Sequence, residues 1–433
     1  IFHVMEVYWL LNPVFCTYLN QFYCIFARNK CKMESLQIKS NIVIQDLSMD
    51  IIREQGRLID WNDRLIGIVG ARGTGKTTLM LQRLKEQYGF SKEALYITLD
   101  DIYFTSNTLS DLAVRFRQQG GKILFVDEVH KYPDWAKEIK NIYDFYRDLK
   151  IVFTGSSVID ISRKNADLSR RAVQYELTGL SYREFLQFSG IAAPKVISLS
   201  DLLGHHVEIA HELMKDFKPF KPLQHFGDYL KFGYYPFFIE NIHTYHMRIE
   251  RVVRLIIEED LQFISGFNPH HSRKVYQLLY ILASNVPFKP NISKLAEKTG
   301  MSRNIIVEYL YYLEGARLIN TLSAAGRSTS ILQKPDKVFL ENTNLSYALT
   351  PENADRGTIR EAFFLGQLRN AKHDIKLPSK GDFIVDDKYT FEIGGKTKSG
   401  KQLSGIDDSF IVADDLEAGV SNKIPLWLFE MLG

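Results

Sequence analysis

Cysteine is almost missing from this chain: Cys16, Cys24 and Cys31 all fall before Met33, and none follows. A disulfide framework is thereby excluded for the body of the protein, which fits a reducing compartment such as the cytoplasm. Charge of one sign is equally scarce. Against 54 Lys and Arg stand 51 Asp and Glu, a net +3, so overall charge argues for neither nucleic acid nor a membrane as partner. Only 13 prolines interrupt the sequence, and it has no internal repeat or low-complexity stretch. No paired Cys/His spacing suggests zinc, and none of the pairs among His205, His206 and His211 has the i, i+4 spacing that places two ligands on one helical face.

With 433 residues, 45% hydrophobic and 24% charged, the chain can form two to four globular domains, each with its own core. The first 32 residues stand apart. Val7–Ala27 carries no charge and is followed by Arg28, Lys30 and Lys32, which resembles a membrane anchor. Asn12, Pro13, Asn20 and Gln21 interrupt that run, and an ordinary soluble start follows at Met33. Residues 1–32 are therefore expected to be a non-native upstream extension, with an anchor as the alternative.

From about Ile51 strand and helix alternate. Leu65–Val69, Ala94–Leu99, Ile123–Val126 and Ile151–Phe153 are apolar runs of the kind that parallel strands buried on both faces require. Helices are expected over about Lys76–Gln87 and Asp134–Tyr146. This pattern predicts a doubly wound α/β core over residues 33–190. A helical lid region is expected over 191–288, a winged helix–turn–helix over 289–334, and a mixed α/β domain over 335–433.

Gly70-Ala71-Arg72-Gly73-Thr74-Gly75-Lys76-Thr77 fits G-x-x-x-x-G-K-[ST], with a strand before it and a helix after it. Glycines let successive N–H groups curl inward around phosphate oxygens, and the helix adds the positive end of its dipole. Through Thr78 this segment is the expected ATP site: Lys76 would reach the β and γ phosphates and Thr77 would ligate Mg2+. Some fifty residues on, Ile123–Val126 ends in Asp127-Glu128, with Asp127 expected on the magnesium water shell and Glu128 as general base toward water. Thr154 and Ser156, at the tip of the next strand, are candidates for orienting that water, although the segment also suits a plain strand-to-helix turn. Arg170 and Arg171 precede a strand-like Ala172–Leu177. Either suits a trans-acting arginine, which would imply a homo-oligomer, and either also suits a solvated basic turn.

At this point the chain resembles the bacterial AAA-type ATPases that carry a C-terminal domain of unknown function. The likeness rests on the P-loop, Phe125–Trp135 (FVDEVHKYPDW), Thr154–Ser157, Leu180–Phe185 (LSYREF), Tyr229-Leu230, Gly233–Pro236 (GYYP), Phe391–Lys396 and Ile424–Phe429. It spans about Met33 to the end and does not settle a cellular role; an ATP-hydrolysing switch with an unidentified client protein is the expectation for the whole chain.

Ile292–Ile319 reads as helix, turn at Gly300, and a second helix capped by Ser302. Eight basic and four acidic residues lie between Lys289 and Lys337, and Arg303 and Asn304 stand where DNA contacts would be made. Packing against the lid or a partner protein is the equal alternative. Glu361, Asp382 and Glu392 follow the order of carboxylates in PD-(D/E)XK nucleases. The lysine expected two residues after the last acid is replaced by Gly394, and the nearest is Lys396. A degenerate nuclease-like fold serving as a binding module is the expectation, with ATP-regulated DNA cleavage and a non-hydrolysing interaction module as alternatives.

Overall fold

A computed structural model describes residues 33–157, 168–216, 220–285, 287, 289–325 and 334–433. The expected extension or anchor over 1–32, with its three cysteines, lies outside the described residues. Among the described residues no helix is long and apolar enough to cross a membrane.

The described residues begin with α1 (33–45). The core then runs β1 (Leu65–Gly70), α2 (Lys76–Tyr88), β2 (Ala94–Thr98), α3 (Leu109–Gln118), β3 (Ile123–Asp127), α4 (Trp135–Phe145), β4 (Lys150–Ser156) and β5 (Val173–Glu176). The five strands form one sheet in the order β2-β3-β4-β1-β5, every pairing parallel. Alternation along each strand feeds two separate cores. Leu65, Leu95, Leu124 and Ile151 face α1, α3 and α4 through Leu36, Leu112, Phe116, Trp135 and Ile139. Ile66, Ile68, Phe125 and Val152 face α2 through Leu79, Met80 and Leu84. Helices on both faces of a parallel sheet make a doubly wound α/β core. Because β1 sits between β4 and β5, the chain leaving it must cross two strands to reach β2. The carboxyl ends of β1, β3 and β4 therefore border one crevice, where such sheets bind ligands.

Helices follow: α5 (Tyr182–Phe188), α6 (Leu199–Asp216), α7 (Pro222–Phe232), α8 (Tyr245–Glu258), α9 (Ser272–Ala283), α10 (Ile292–Thr299) and α11 (Arg303–Gly315). Ser181 and Glu184 close α5 with a reciprocal capping box. Gly300 ends α10 in the left-handed conformation and Ser302 caps α11. After α11, β6 (Ile319–Leu322) pairs antiparallel with β7 (Lys337–Leu340), the second strand lying past residue 334. Then come α12 (Thr343–Leu349) and α13 (Arg356–Asn370). A second sheet ends the chain: β8 (Ile375–Lys376), β9 (Phe383–Val385), β10 (Tyr389–Gly394), β11 (Ser409–Ala413) and β12 (Lys423–Pro425). It is antiparallel from β8 to β10 and parallel from β10 to β12.

Apolar packing joins these parts out of chain order. Helices α5–α7 share a core with α13 and the second sheet through Tyr182, Leu202, Phe226, Phe364, Phe391 and Trp427. Helices α8–α12 and the β6–β7 pair form another core around Tyr245, Val253, Leu278, Leu310 and Leu340.

Candidate nucleotide site

The loop between β1 and α2 owes its shape to glycine. Gly73 and Gly75 have φ of +86° and +93°, a region that side-chain-bearing residues avoid. At Gly70 a Cβ would be driven into the Leu177 carbonyl oxygen. Thr74 is fully buried and turns its hydroxyl back to the Ala71 carbonyl at 2.9 Å. Lys76 is buried at the start of α2, its Nζ donating to the Gly70 and Ala71 carbonyls at 2.9 and 2.8 Å. Burial holds the Lys76 ammonium below its ordinary pKa, with Glu128, Asp127 and Asp260 pulling the other way. Thr78 lies exposed on the first turn of α2.

Asp127 closes β3 at 4% exposure, and three hydroxyls serve its carboxylate. Thr77 donates at 2.9 Å, Tyr96 donates at 2.9 Å, and Thr154 donates to Oδ1. Burial, reinforced by Glu128 alongside, pushes the Asp127 carboxyl above its usual pKa, and the three hydroxyls offset part of that. Glu128 has a left-handed backbone, φ 54° and ψ 41°, uncommon for a side-chain-bearing residue. Its amide donates to the Thr154 hydroxyl at 3.2 Å, while its carboxylate lies 3.5 Å from Lys131 Nζ and 3.6 Å from His130 Nε2. Thr154, with no exposed surface, spends its hydroxyl on the Asp127–Glu128 pair. Ser156 spends its own on Asp260, 3.0 Å away.

Two supports reach the loop from elsewhere in the chain. Arg53, ahead of β1, donates to the Thr74 carbonyl at 2.7 Å and to Glu184 at 2.8 Å, both side chains buried. From the other side Tyr235, Pro236 and Phe237 cover the loop: a Cβ on Gly73 would lie 3.3 Å from Phe237, and one on Gly75 would lie 3.6 Å from Pro236. Asp260, after α8, pairs with Arg72 at 2.8 Å.

A phosphate-shaped loop of bent glycines, a buried lysine and a threonine bonded to a strand-end aspartate agree with what residues 62–186 match, the family described as AAA domain. The chain carries an AAA-type P-loop ATPase domain. Residues 223–356 match a second family, described only as Domain of unknown function (DUF8612), a span that runs from α7 through the β6–β7 pair to α12. An uncharacterized protein of Methanocaldococcus jannaschii, MJ1637, is 25% identical over 388 residues, covering 82% of this chain and 80% of its own. Two solved structures show weaker likeness. The Aeropyrum pernix ORC1 protein in complex with DNA is 13% identical at a TM-score of 0.29, over 66% of this chain and 86% of its own. AMPPCP-bound DnaA from Aquifex aeolicus is 15% identical at a TM-score of 0.25, over 62% of this chain and 92% of its own.

The AAA domain places its two arginines away from this loop. Arg171 lies at the amino end of β5 and pairs with Asp144, at the end of α4, at 2.8 Å. Since β5 runs parallel to β1, that is the opposite edge of the sheet from Gly70. Arg170 beside it is exposed. Neither lies beside the loop of its own chain.

In the second sheet Glu361 is on α13, Asp382 accepts from the Ile393 amide at 2.7 Å, and Glu392 is 2% exposed on β10. Lys398, which sequence spacing passed over in favour of Lys396, pairs with Glu392 at 3.0 Å. The bare Gly394 makes this possible, for a Cβ there would come within 2.7 Å of the Lys398 side chain. Among the described residues no group of three or more His, Cys, Asp or Glu is arranged to hold a metal.

Sequence reasoning also missed Tyr96, Arg53, His130 and Asp260. His130 stood within the Phe125–Trp135 stretch already singled out, two places beyond Glu128, and Tyr96 lay on an expected strand. Arg53 and Asp260 carried no signal.

Proposed function

We propose that this chain binds ATP with Mg2+ at Gly70–Thr78 and hydrolyses it, and that hydrolysis shifts the winged-helix and C-terminal parts against the AAA domain. The observation that carries this is the Thr77–Asp127 pair beside the glycine loop. A hydroxyl and a carboxylate, 2.9 Å apart at the mouth of a nest of amides, are the donor set a magnesium–triphosphate needs.

The residues present fit both groups. Gly73 and Gly75 put no side chain of their own over the backbone N–H groups, and Lys76 would exchange two carbonyl contacts for phosphate oxygens. Thr77 and Asp127 would hold Mg2+, which when bound neutralises phosphate charge. Glu128, at the strand end and less buried than Asp127, accepts the proton of attacking water. Thr154 positions both acids. Arg171 acts in trans, so turnover needs a homo-oligomer.

Phosphate release by the full chain, compared with Lys76→Ala and Glu128→Gln, tests this reading. Loss of ATP binding in the first and loss of turnover with binding retained in the second support it; equal turnover in all three removes the site. Binding without turnover in the wild type would make the chain a non-hydrolysing interaction module.

For the second sheet we propose a binding role. Glu392 and Glu361 are engaged by Lys398 and Lys337, at 3.0 and 3.5 Å. DNA held through Arg303 and Asn304 of α11 is one partner class, and a client protein is the other. Magnesium-dependent nicking of plasmid, abolished by Asp382→Ala, would instead establish a nuclease.

A further inference from the structure

Asp260 is a buried carboxylate that neither phosphate binding nor the sheet requires. It opens a single 3-10 turn, Asp260–Phe263, directly after α8, and is 1% exposed. Its Oδ2 accepts from the Ser156 hydroxyl at 3.0 Å. Its Oδ1 accepts from Arg72 at 2.8 Å and faces His130 Nε2 at 3.6 Å. Burial by itself would raise the Asp260 carboxyl, but the His130, Arg72 and Ser156 contacts outweigh it and keep the group below its ordinary pKa. The lid region thus sends one anion into the nucleotide site. There it meets the P-loop at Arg72, the tip of β4 at Ser156, and the residue two places beyond Glu128.

His130 is the informative neighbour. Its Nδ1 lies 3.3 Å from the Ser156 amide nitrogen, and an amide can only donate. Nδ1 is therefore the acceptor, and the proton of the neutral ring is on Nε2. Among the described residues that Nε2 is buried without a hydrogen-bond partner. It stands 3.6 Å from Glu128 Oε2 and 3.6 Å from Asp260 Oδ1, while Phe263 closes the space edge-on at 5.5 Å. One N–H faces two carboxylates at equal range and can serve only one of them well.

We infer that Asp260 is a positioning residue which competes with Glu128 for the single Nε2–H donor of His130, so that a docked 260–263 turn leaves Glu128 free to accept a proton from water. When the turn withdraws, His130 hydrogen-bonds Glu128 and turnover stops. The device rests on the reading of Glu128 as the acid that receives the proton. It makes hydrolysis conditional on the lid, and Arg72 links the same carboxylate to the state of the P-loop.

The test uses the full chain with ATP and Mg2+, reading kcat by phosphate release and affinity by a fluorescent ATP analogue. Asp260→Ala should lower kcat by about tenfold or more while affinity changes by less than about threefold. Adding His130→Ala to Asp260→Ala should restore most of kcat, because the imidazole donor that held Glu128 is gone while the Lys131 contact is the same as in wild type. Asp260→Glu should keep part of the wild-type rate. A loss that His130→Ala does not repair would mean that Asp260 is merely structural, and an unchanged kcat in Asp260→Ala also overturns the inference. If Asp260→Ala fails to fold, His130→Ala alone decides: kcat should rise above wild type, and a fall overturns the inference. A wild-type chain that binds ATP without turning it over overturns both this device and the proposed hydrolysis, an outcome distinct from active turnover indifferent to Asp260.

Discussion

Removing the Arg53 guanidinium should cost the AAA domain a large share of its stability. Arg53 and Glu184 are each about 4% exposed. The guanidinium donates to Glu184 through Nε at 2.8 Å and Nη2 at 3.0 Å, to the Thr74 carbonyl at 2.7 Å, and to the Thr178 and Gly179 carbonyls at 3.0 Å each. Arg53→Met strands a buried carboxylate, which keeps only the Glu54 and Ser181 amides at 2.9 and 3.2 Å. Breaking one side of such a pair costs about 3–5 kcal/mol. For a domain of this size that is a fall of roughly 6–20 °C in melting temperature. Arg53→Met with Glu184→Met should recover about 2 kcal/mol, because the orphaned charge goes while the three carbonyls stay without their donor.

The pH dependence carries a definite sign. Burial alone would raise the Glu184 carboxyl, but the Arg53 charge and hydrogen bonds outweigh it and hold the group below its ordinary value. A depressed folded pKa stabilises fully above the unfolded value of about 4.3 and ceases to do so as pH falls through the lower folded value. The gap between wild type and Glu184→Gln, followed by thermal melting, should therefore be constant near neutrality and shrink below about pH 4. A melting temperature for Arg53→Met within 2 °C of wild type at pH 7, on the order of 1 kcal/mol or less, would refute the reasoning.

Tyr96→Phe removes one of three hydroxyls from Asp127 and should weaken magnesium-dependent ATP binding by about tenfold, read by calorimetry at two Mg2+ concentrations. Gly70→Ala forces a Cβ into the Leu177 carbonyl, so both melting temperature and ATP affinity should drop. Burial pushes Glu430, 1% exposed, up to about 7, so the neutral carboxyl suits the fold. Its contribution is complete below about pH 4.5 and disappears as pH rises through 7, so Glu430→Gln should flatten that part of the melting-temperature profile. Gly394→Leu should displace Lys398 from Glu392, and loss of any partner retained by wild type in a pull-down would check the binding role of the second sheet.

The sequence by itself determined the core sheet and where its glycine loop lies. Apolar runs such as Leu65–Val69 and Ile123–Val126 are buried on both faces, and a glycine loop between a strand and Lys76 at the head of a helix is the pattern on which a phosphate cradle was expected. Those signals are local: period, spacing and residue type within about ten positions. What only the tertiary structure decided is which distant side chains converge there. Arg53 meets Glu184 across 131 positions, and Arg72 meets Asp260 across 188. Lys398 reaches Glu392 only because an intervening glycine leaves it room. A buried charge is stabilised by whatever partner the packed chain brings within about 3 Å, and no pattern along the sequence records which one that is.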